Sequence, residues 1–431
     1  MNTLVEQDAR PTAFGTPYVQ ENPSEFRVST SAYGDPKVFE AELEKIFYST
    51  WIYLGHESEI ANNGDFKSTW IGMQPVILVR DGDGNITALL NACTHRGGNL
   101  CREEKGNTRT FVCPYHGWAY KTSGELLAIP AAERYPDDFD TAKLAMVKVP
   151  RVAAYGGMIF GSFNAEVESL DDYLGDAKRH IDIWNARRAG GTYRAGTAHK
   201  YAYHGNWKFQ SENVYDGYHA GFTHRSAFNT FRKFEGLFRN RHYGAVREDG
   251  ATRGMRGGHG SLELNKPLDS GQIDPAIRQH YLDALERLNG KEMVDEILRN
   301  RHVLLFPSVI IMDFNIRVVQ PRAFNRTEVY SYPMLIDGIP EEITAQRLND
   351  VQTRVGTAGI VGADDIDVFN GNQTSLQALG AKWFTLSRGL GKEQILDNDQ
   401  RVGGFSDETP QRAFWRQWDK LMSANSRGEG A

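Results

Sequence analysis

Two short runs of this chain carry residue types that bind metals. Cys93-Thr94-His95 and Cys113-Pro114-Tyr115-His116 read C-x-H and, after seventeen intervening residues, C-x-x-H. A [2Fe–2S] cluster with two thiolates on one iron and two imidazoles on the other needs this donor set. Two loops, each offering one Cys and one His, could clamp such a cluster from both sides. Gly97, Gly98, Pro114 and Gly117 let each backbone turn sharply near the sulfurs and offer them N–H groups. A structural zinc site accepts the same four ligands. Zinc knuckles, however, pair like ligands within a loop, and here each loop mixes them.

The run from Gly205 to His224 holds a second candidate, His219 and His224, five residues apart. On a continuous helix that spacing separates them by about 140°. They could share one ion only if the helix distorts or ends between them, which Gly221 would allow. H-x₄-H alone is a weak signal. Asp216 and Asn213 strengthen it, because a ligating imidazole usually donates its second nitrogen to a carboxylate or carbonyl.

Residues 93–116 and 206–224 together resemble the two signatures of Rieske non-haem-iron oxygenase alpha subunits, and the likeness runs from the helix before Trp51 to beyond Asp367. Trp51-Ile52-Tyr53-Leu54-Gly55-His56-Glu57-Ser58, Asn91-Ala92-Cys93-Thr94-His95-Arg96-Gly97 and the spacing Glu212-Asn213-x-x-Asp216-Gly217-Tyr218-His219 look most like the benzoate, toluate and anthranilate dioxygenase branch. The naphthalene and biphenyl enzymes carry one more residue between Asn and Asp. High-potential respiratory Rieske proteins add a disulfide-bonded cysteine in each loop. The second loop here has none, so Cys101 is expected to be an inert buried thiol. The resemblance implies a Rieske cluster on Cys93, His95, Cys113 and His116. It also implies one mononuclear Fe(II) in a two-His-one-carboxylate triad with open positions for dioxygen. His219 and His224 would be its imidazoles. The carboxylate would come from Gly362-Ala363-Asp364-Asp365-Ile366-Asp367, with Asp365 preferred and Asp364 and Asp367 behind it. An acidic first helical turn also complements the helix dipole, so one or two of these three have that simpler role. Asp216 would join His219 to His116 of the partner subunit, or merely orient His219.

The implied activity is hydroxylation of an aromatic ring with O₂, giving a cis-dihydrodiol, with an aromatic carboxylate as the expected substrate. Electrons would come from NAD(P)H through a reductase, with or without a ferredoxin. The expected assembly is a trimer, α3 or, with a small beta subunit, α3β3. Monooxygenation of a substituted aromatic acid is the alternative reading. A pure Rieske electron carrier would leave Asp216–His224 unexplained. Phe209, Asn213 and Phe222 are expected to line the substrate pocket, with Phe306, Ile311 and Phe314 as further candidates. Arg253 and Arg256 could hold a substrate carboxylate, since Arg pairs bidentately with one.

These residues must be positioned by an α+β fold. Residues 1–45 read as an arm and helix belonging with the catalytic domain, 46–164 as a small antiparallel β Rieske domain, and 165–431 as the mononuclear-iron domain. For the last, the resemblance implies a central antiparallel sheet flanked by helices. Asp35-Pro36 looks like a helix N-cap and first turn. Strands Val76–Val79 and Ile86–Leu90 flank a turn-rich loop. Helices are expected over Leu170–Asn185, Ala276–Leu288, Glu341–Val355 and Gln411–Met422, strands over Val303–Met312 and Arg317–Gln320, and a mobile loop over Gly254–Gly260.

Bulk properties agree. A net charge of −6 and a pI near 6.1 give no basic footprint for nucleic acid. No run approaches the roughly 20 apolar residues of a membrane span. Met1–Asp8 lacks the apolar stretch of a signal peptide, and three clustered cysteines suit a metal site better than a disulfide framework. A cytoplasmic enzyme is expected.

Overall fold

A computed structural model describes residues 18–233, 250–267, 273–357, 359–378, 380–396 and 398–424. Residues 1–17 of the expected arm lie outside them. The chain divides into two compact units, one of residues 47–173 with 193–195, the other of residues up to 46, 174–192 and from 196 onward.

The smaller unit consists of short antiparallel sheets. Strands Gln74–Arg80 and Ile86–Leu90 form the expected hairpin. Its turn is closed by Asp81, whose Oδ1 accepts from the backbone N–H of Asp83 and Asn85, both at 2.9 Å. Gly84 adopts φ +89° there, a conformation that glycine reaches without strain. The alternating apolar residues Ile77, Val79 and Leu89 turn inward against Phe66, Phe111, Trp118, Tyr120 and Met146. Cys93, Cys101 and Cys113 are buried in this same cluster.

The larger unit is built on a long antiparallel sheet. From one side its strands run His199–Tyr203, Arg326–Asp337, Asn315–Ala323, Val309–Met312, Arg299–Leu305, Gly260–Pro267, Gly250–Gly254, Arg401–Gly404 and Gln394–Ile395. Helices pack around it, including Pro275–Asn289, Gly362–Ser375 and Thr409–Ser423. Asp35 caps the helix Pro36–Glu42 as expected, accepting from the N–H of Lys37 at 2.9 Å.

Several expectations about elements are corrected. The apolar run Val303–Met312 is a hairpin, two strands whose residues Leu305 and Val309 face each other across a turn at Pro307. Proline has no N–H for a ladder, so the run could not continue as one strand. The other strand is longer than expected, Asn315–Ala323. Leu170–Asn185 breaks at Gly175 into Leu170–Leu174 and Ala177–Ala186, and Glu341–Val355 ends in a π turn from Val351. Part of the expected arm is regular, since Val19–Asn22 and Glu25–Ser29 pair and Glu25–Ser29 pairs again with Trp383–Thr385. The Gly254–Gly260 loop is the tight connection of two paired strands. Gly257 and Gly258 at φ +78° reverse the chain, and buried His259 accepts the N–H of Phe306 on Nδ1 at 2.9 Å.

A buried polar knot holds the helix Trp207–Asn213. Its N-cap Asn206 accepts from the N–H of Lys208 at 3.1 Å. Glu42 receives the indole N–H of Trp207 (2.8 Å) and of Trp418 (2.7 Å) and pairs with Lys208, with both charged side chains fully buried. Glu212 accepts from the Tyr33 hydroxyl at 2.7 Å and from Trp415 at 2.9 Å. Burial pushes the Glu212 carboxyl up to about 7 despite these donors.

Candidate metal centres and substrate cavity

The two cysteine–histidine loops share one backbone design. The N–H of Gly97 reaches the carbonyl of Cys93 and that of Gly117 the carbonyl of Cys113. The N–H of Cys93 reaches the carbonyl of Gly98, and that of Cys113 the carbonyl of Trp118. Gly97 and Gly117 both take positive φ, +68° and +75°. The sulfurs are buried, and the His95 and His116 rings lie 4.6 Å apart, centroid to centroid. His95 stacks flat on Trp118 at 4.8 Å.

Several details fit an inorganic cluster. The Nδ1 of His95 is buried with no hydrogen-bond partner, as a ligating nitrogen would be. His116 meets Arg96 through Nε2, which leaves Nδ1 for a metal. Desolvation and the Arg96 cation hold this ring below its usual pKa range, and a metal ligand must be neutral. A Cβ on Gly98 would stand 2.8 Å from Sγ of Cys113, so the backbone comes as near the sulfur as glycine permits. The Tyr120 hydroxyl lies 3.2 Å from Sγ of Cys93. Burial, with the sulfur beside it, pushes that phenol up to about 12, so it stays a proton donor. Cys101 is a buried free thiol beside Ser68, its pKa raised by burial.

In the larger unit the helix Trp207–Asn213 ends before the histidines, and the one-turn helix Ala220–Thr223 has His219 as N-cap and His224 as C-cap. The helix therefore gives way on both sides of the pair rather than at Gly221. This brings the rings to 5.2 Å, nearly perpendicular. Asp365, in the first turn of Gly362–Ser375, places Oδ1 3.3 Å from Nε2 of His224 and 3.6 Å from Nε2 of His219. One ligand atom from each of the three lies within 4.8 Å of the others. Such separations suit neighbouring ligands of one ion held at about 2.1 Å. Asp364 instead reaches Nδ1 of His224 at 3.4 Å, and Asp367 is exposed. Asp216 accepts from the N–H of Tyr218 and of His219 on Oδ1, which is also 3.8 Å from Nδ1 of His219. Burial opposes protonation of His219, but Asp216 and Asp365 outweigh it and raise its pKa. The Asn213 amide is 3.1 Å from Nε2 of His219 and 3.3 Å from Oδ1 of Asp365.

Beside these groups lies a cavity of about 190 Å³. One water occupies roughly 30 Å³ in the liquid, so the space suits a small organic molecule. Leu262, Leu264, Met312, Phe314, Val355 and Phe405 form most of its apolar wall. Of the expected lining, Asn213 and Phe314 are there. Phe209 is core, stacked on Tyr33 and Phe369. Phe222 is 66 % exposed, and Phe306 and Ile311 are buried away from the cavity. Arg253 is paired with Glu263 at 2.9 Å and, like Arg256, does not line it. Arg317, Asn300 and His302 were not foreseen. The strand Arg299–Leu305 opens on four polar residues in a row, Arg299, Asn300, Arg301 and His302, so no alternation singled out Asn300 and His302.

Comparison with known proteins agrees with this geometry. Residues 50–151 match the Rieske [2Fe-2S] domain, and residues 190–424, over half the chain, match the catalytic domain of the ring-hydroxylating alpha subunit. The chain belongs to the ring-hydroxylating dioxygenase alpha subunits. Its cofactors are a Rieske [2Fe–2S] cluster and one mononuclear iron. The alpha subunit is 32 % identical to the anthranilate 1,2-dioxygenase large subunit of Acinetobacter baylyi over 389 residues, covering 85 % of this chain and 81 % of that one. It is 30 % identical to the toluate 1,2-dioxygenase alpha subunit of Pseudomonas putida, covering 97 % and 93 %. A naphthalene 1,2-dioxygenase structure with indole in its active site superposes with TM-score 0.84 at 28 % identity, covering 95 % of each chain. As an alpha subunit, the chain is an oxidoreductase with a terminal-oxygenase fold.

Proposed function

We propose that this subunit adds both atoms of dioxygen to an aromatic acid, forming a cis-dihydrodiol. The observation carrying the reading is the meeting of His219, His224 and Asp365 at the wall of an apolar cavity. The bound iron would supply dioxygen activation. The chain's own residues would do the rest. His219, His224 and Asp365 would hold the metal from one side and leave its other side to the cavity. Asp216 would fix the His219 ring, and the Asn213 amide would donate to the Asp365 carboxylate. The apolar wall would exclude water and press a ring toward the metal. Cys93, His95, Cys113 and His116 would hold the cluster that receives electrons from an NAD(P)H-dependent reductase. Asp216 would also contact His116 of the partner subunit in a trimer, with or without a small beta subunit. The names of the anthranilate and toluate relatives support the acid.

Purified protein with a reductase, NADH and a panel of aromatic acids under ¹⁸O₂ tests this. Two labelled oxygens in a diol are expected. A singly labelled phenol would replace dioxygenation by monooxygenation, and reduced cluster with no oxygenated product would refute both.

A further inference from the structure

The cavity contains one cation that nothing among the described residues accounts for. Arg317 lies on the strand Asn315–Ala323, is only 6 % exposed and lines the cavity. Among the described residues no carboxylate or other side chain bonds its guanidinium, and its Nε is buried with no acceptor. Two other charges of the wall are paired, although Oδ2 of Asp313 is buried without a hydrogen-bond partner among the described residues. Arg354 is held by Asp350 at 2.9 Å, and Asp313 by Arg187 at 2.7 Å. His302 donates through Nδ1 to the carbonyl of Val214 at 3.0 Å. Burial, aided by the Arg317 charge, keeps it below its usual pKa against the pull of Asp313, so it is not a second cation.

Strand register explains the placement. Leu262, His302 and Met312 face each other across three strands, and Arg317 sits one row along, opposite Ile310 and Ser331, on the same face. The guanidinium is therefore fixed in a rigid sheet within an apolar wall. An unpaired buried charge is costly unless a ligand completes it. The group that completes a planar fork of N–H donors is a carboxylate, which it binds with two parallel hydrogen bonds.

We infer that Arg317 is the specificity-determining residue that receives the carboxylate of an aromatic monocarboxylic acid. The inference rests on the proposed function for the identity of the ring chemistry, but binding can be measured separately. It transfers to Arg317 the role considered for Arg253 and Arg256.

The test is calorimetric titration of the metal-loaded protein with benzoate, anthranilate and salicylate, each against its uncharged carboxamide. Wild type should bind at least one acid about tenfold or more tighter than its amide. Arg317→Gln should weaken that acid by on the order of 10²-fold, leave the amide within a few-fold, and keep the visible spectrum and iron content. A variant that retains the acid-over-amide ratio overturns the inference, as does a wild type that prefers every amide or binds no acid. Should Arg317→Gln lose its metals, Arg317→Lys carries the test. It keeps the charge without the fork, so the ratio should fall at least threefold, and an unchanged ratio overturns the inference. Wild type that binds acids through Arg317 but releases no oxygenated product would refute the proposed reaction and leave this inference standing.

Discussion

The cluster loops and the iron site solve the same problem, presenting buried donors to a metal, by opposite means. The proposed cluster donors lie within 24 positions, 93 through 116, on two loops of matching backbone design. Local turns with positive-φ glycines do most of the positioning. The proposed iron donors are His219, His224 and Asp365, the last 141 positions beyond His224 (365 − 224), and only packing brings them together. That packing depends on distant charges. The helix leading to His219 is anchored through Lys208 and Trp207 to Glu42, and through Glu212 to Tyr33 and Trp415. A site made of local turns should fail through its own loops, whereas one made of long-range contacts should fail when a remote support is cut.

The largest expected effect separates the sites outright. His219→Ala or Asp365→Ala should lower oxygenation by at least about 10³-fold and lose the mononuclear iron, with the visible cluster spectrum unchanged. Asp364→Ala should keep most of its iron, at a cost of roughly tenfold to a hundredfold in affinity, as for other residues that orient a ligand. Iron analysis beside absorption spectra decides this, and loss of the cluster in Asp365→Ala would break the contrast.

Next is the remote support. Glu42→Ala leaves Lys208 buried without its partner and should cost about 3–5 kcal/mol. Denaturant unfolding should show the loss, and iron should leave while the cluster spectrum survives. An equal loss of cluster would show that both sites depend on the same support.

The converse change is small and local. A methyl on Gly98 would lie 2.8 Å from Sγ of Cys113, so Gly98→Ala should reduce cluster occupancy or shift its reduction potential while iron content holds. An unaltered spectrum and potential would mean that the loop has slack.

The smallest effect concerns Glu212. Its carboxyl titrates near 7 in the fold and near the ordinary 4.5 when unfolded. The folded state therefore holds the extra proton, and stability present below about pH 4.5 is lost as pH rises toward and past 7. Glu212→Gln keeps an acceptor for Tyr33 and Trp415 without the charge. Its thermal midpoint should fall by a few degrees less than wild type's between pH 5 and pH 8. A parallel loss in both proteins would assign the pH dependence to other groups.

The same contrast explains what could be read before the fold was known. Cys93, His95, Cys113 and His116 stood out as proposed cluster donors because their spacing suits that chemistry, and the Asp35-Pro36 cap and the Asp81–Asn85 turn were legible because side chain and backbone interact within a few residues. Asp365 was legible only through resemblance, since an acidic first turn is common in helices. The hairpin inside Val303–Met312 was missed because the apolar stretches on both sides show no periodicity to reveal a reversal, although Pro307-Ser308 was an available turn signal.

The sequence by itself determined the donor types, the loop turns around the cluster and the family. Only the tertiary structure decided which polar residues are satisfied and which are not. Arg253 is one of 49 basic residues along the chain and so is Arg317. Folding sets the first against Glu263 and leaves the second facing a cavity. Charge is written in the residue, but its neutralisation depends on neighbours that strand pairing and burial bring from elsewhere in the chain.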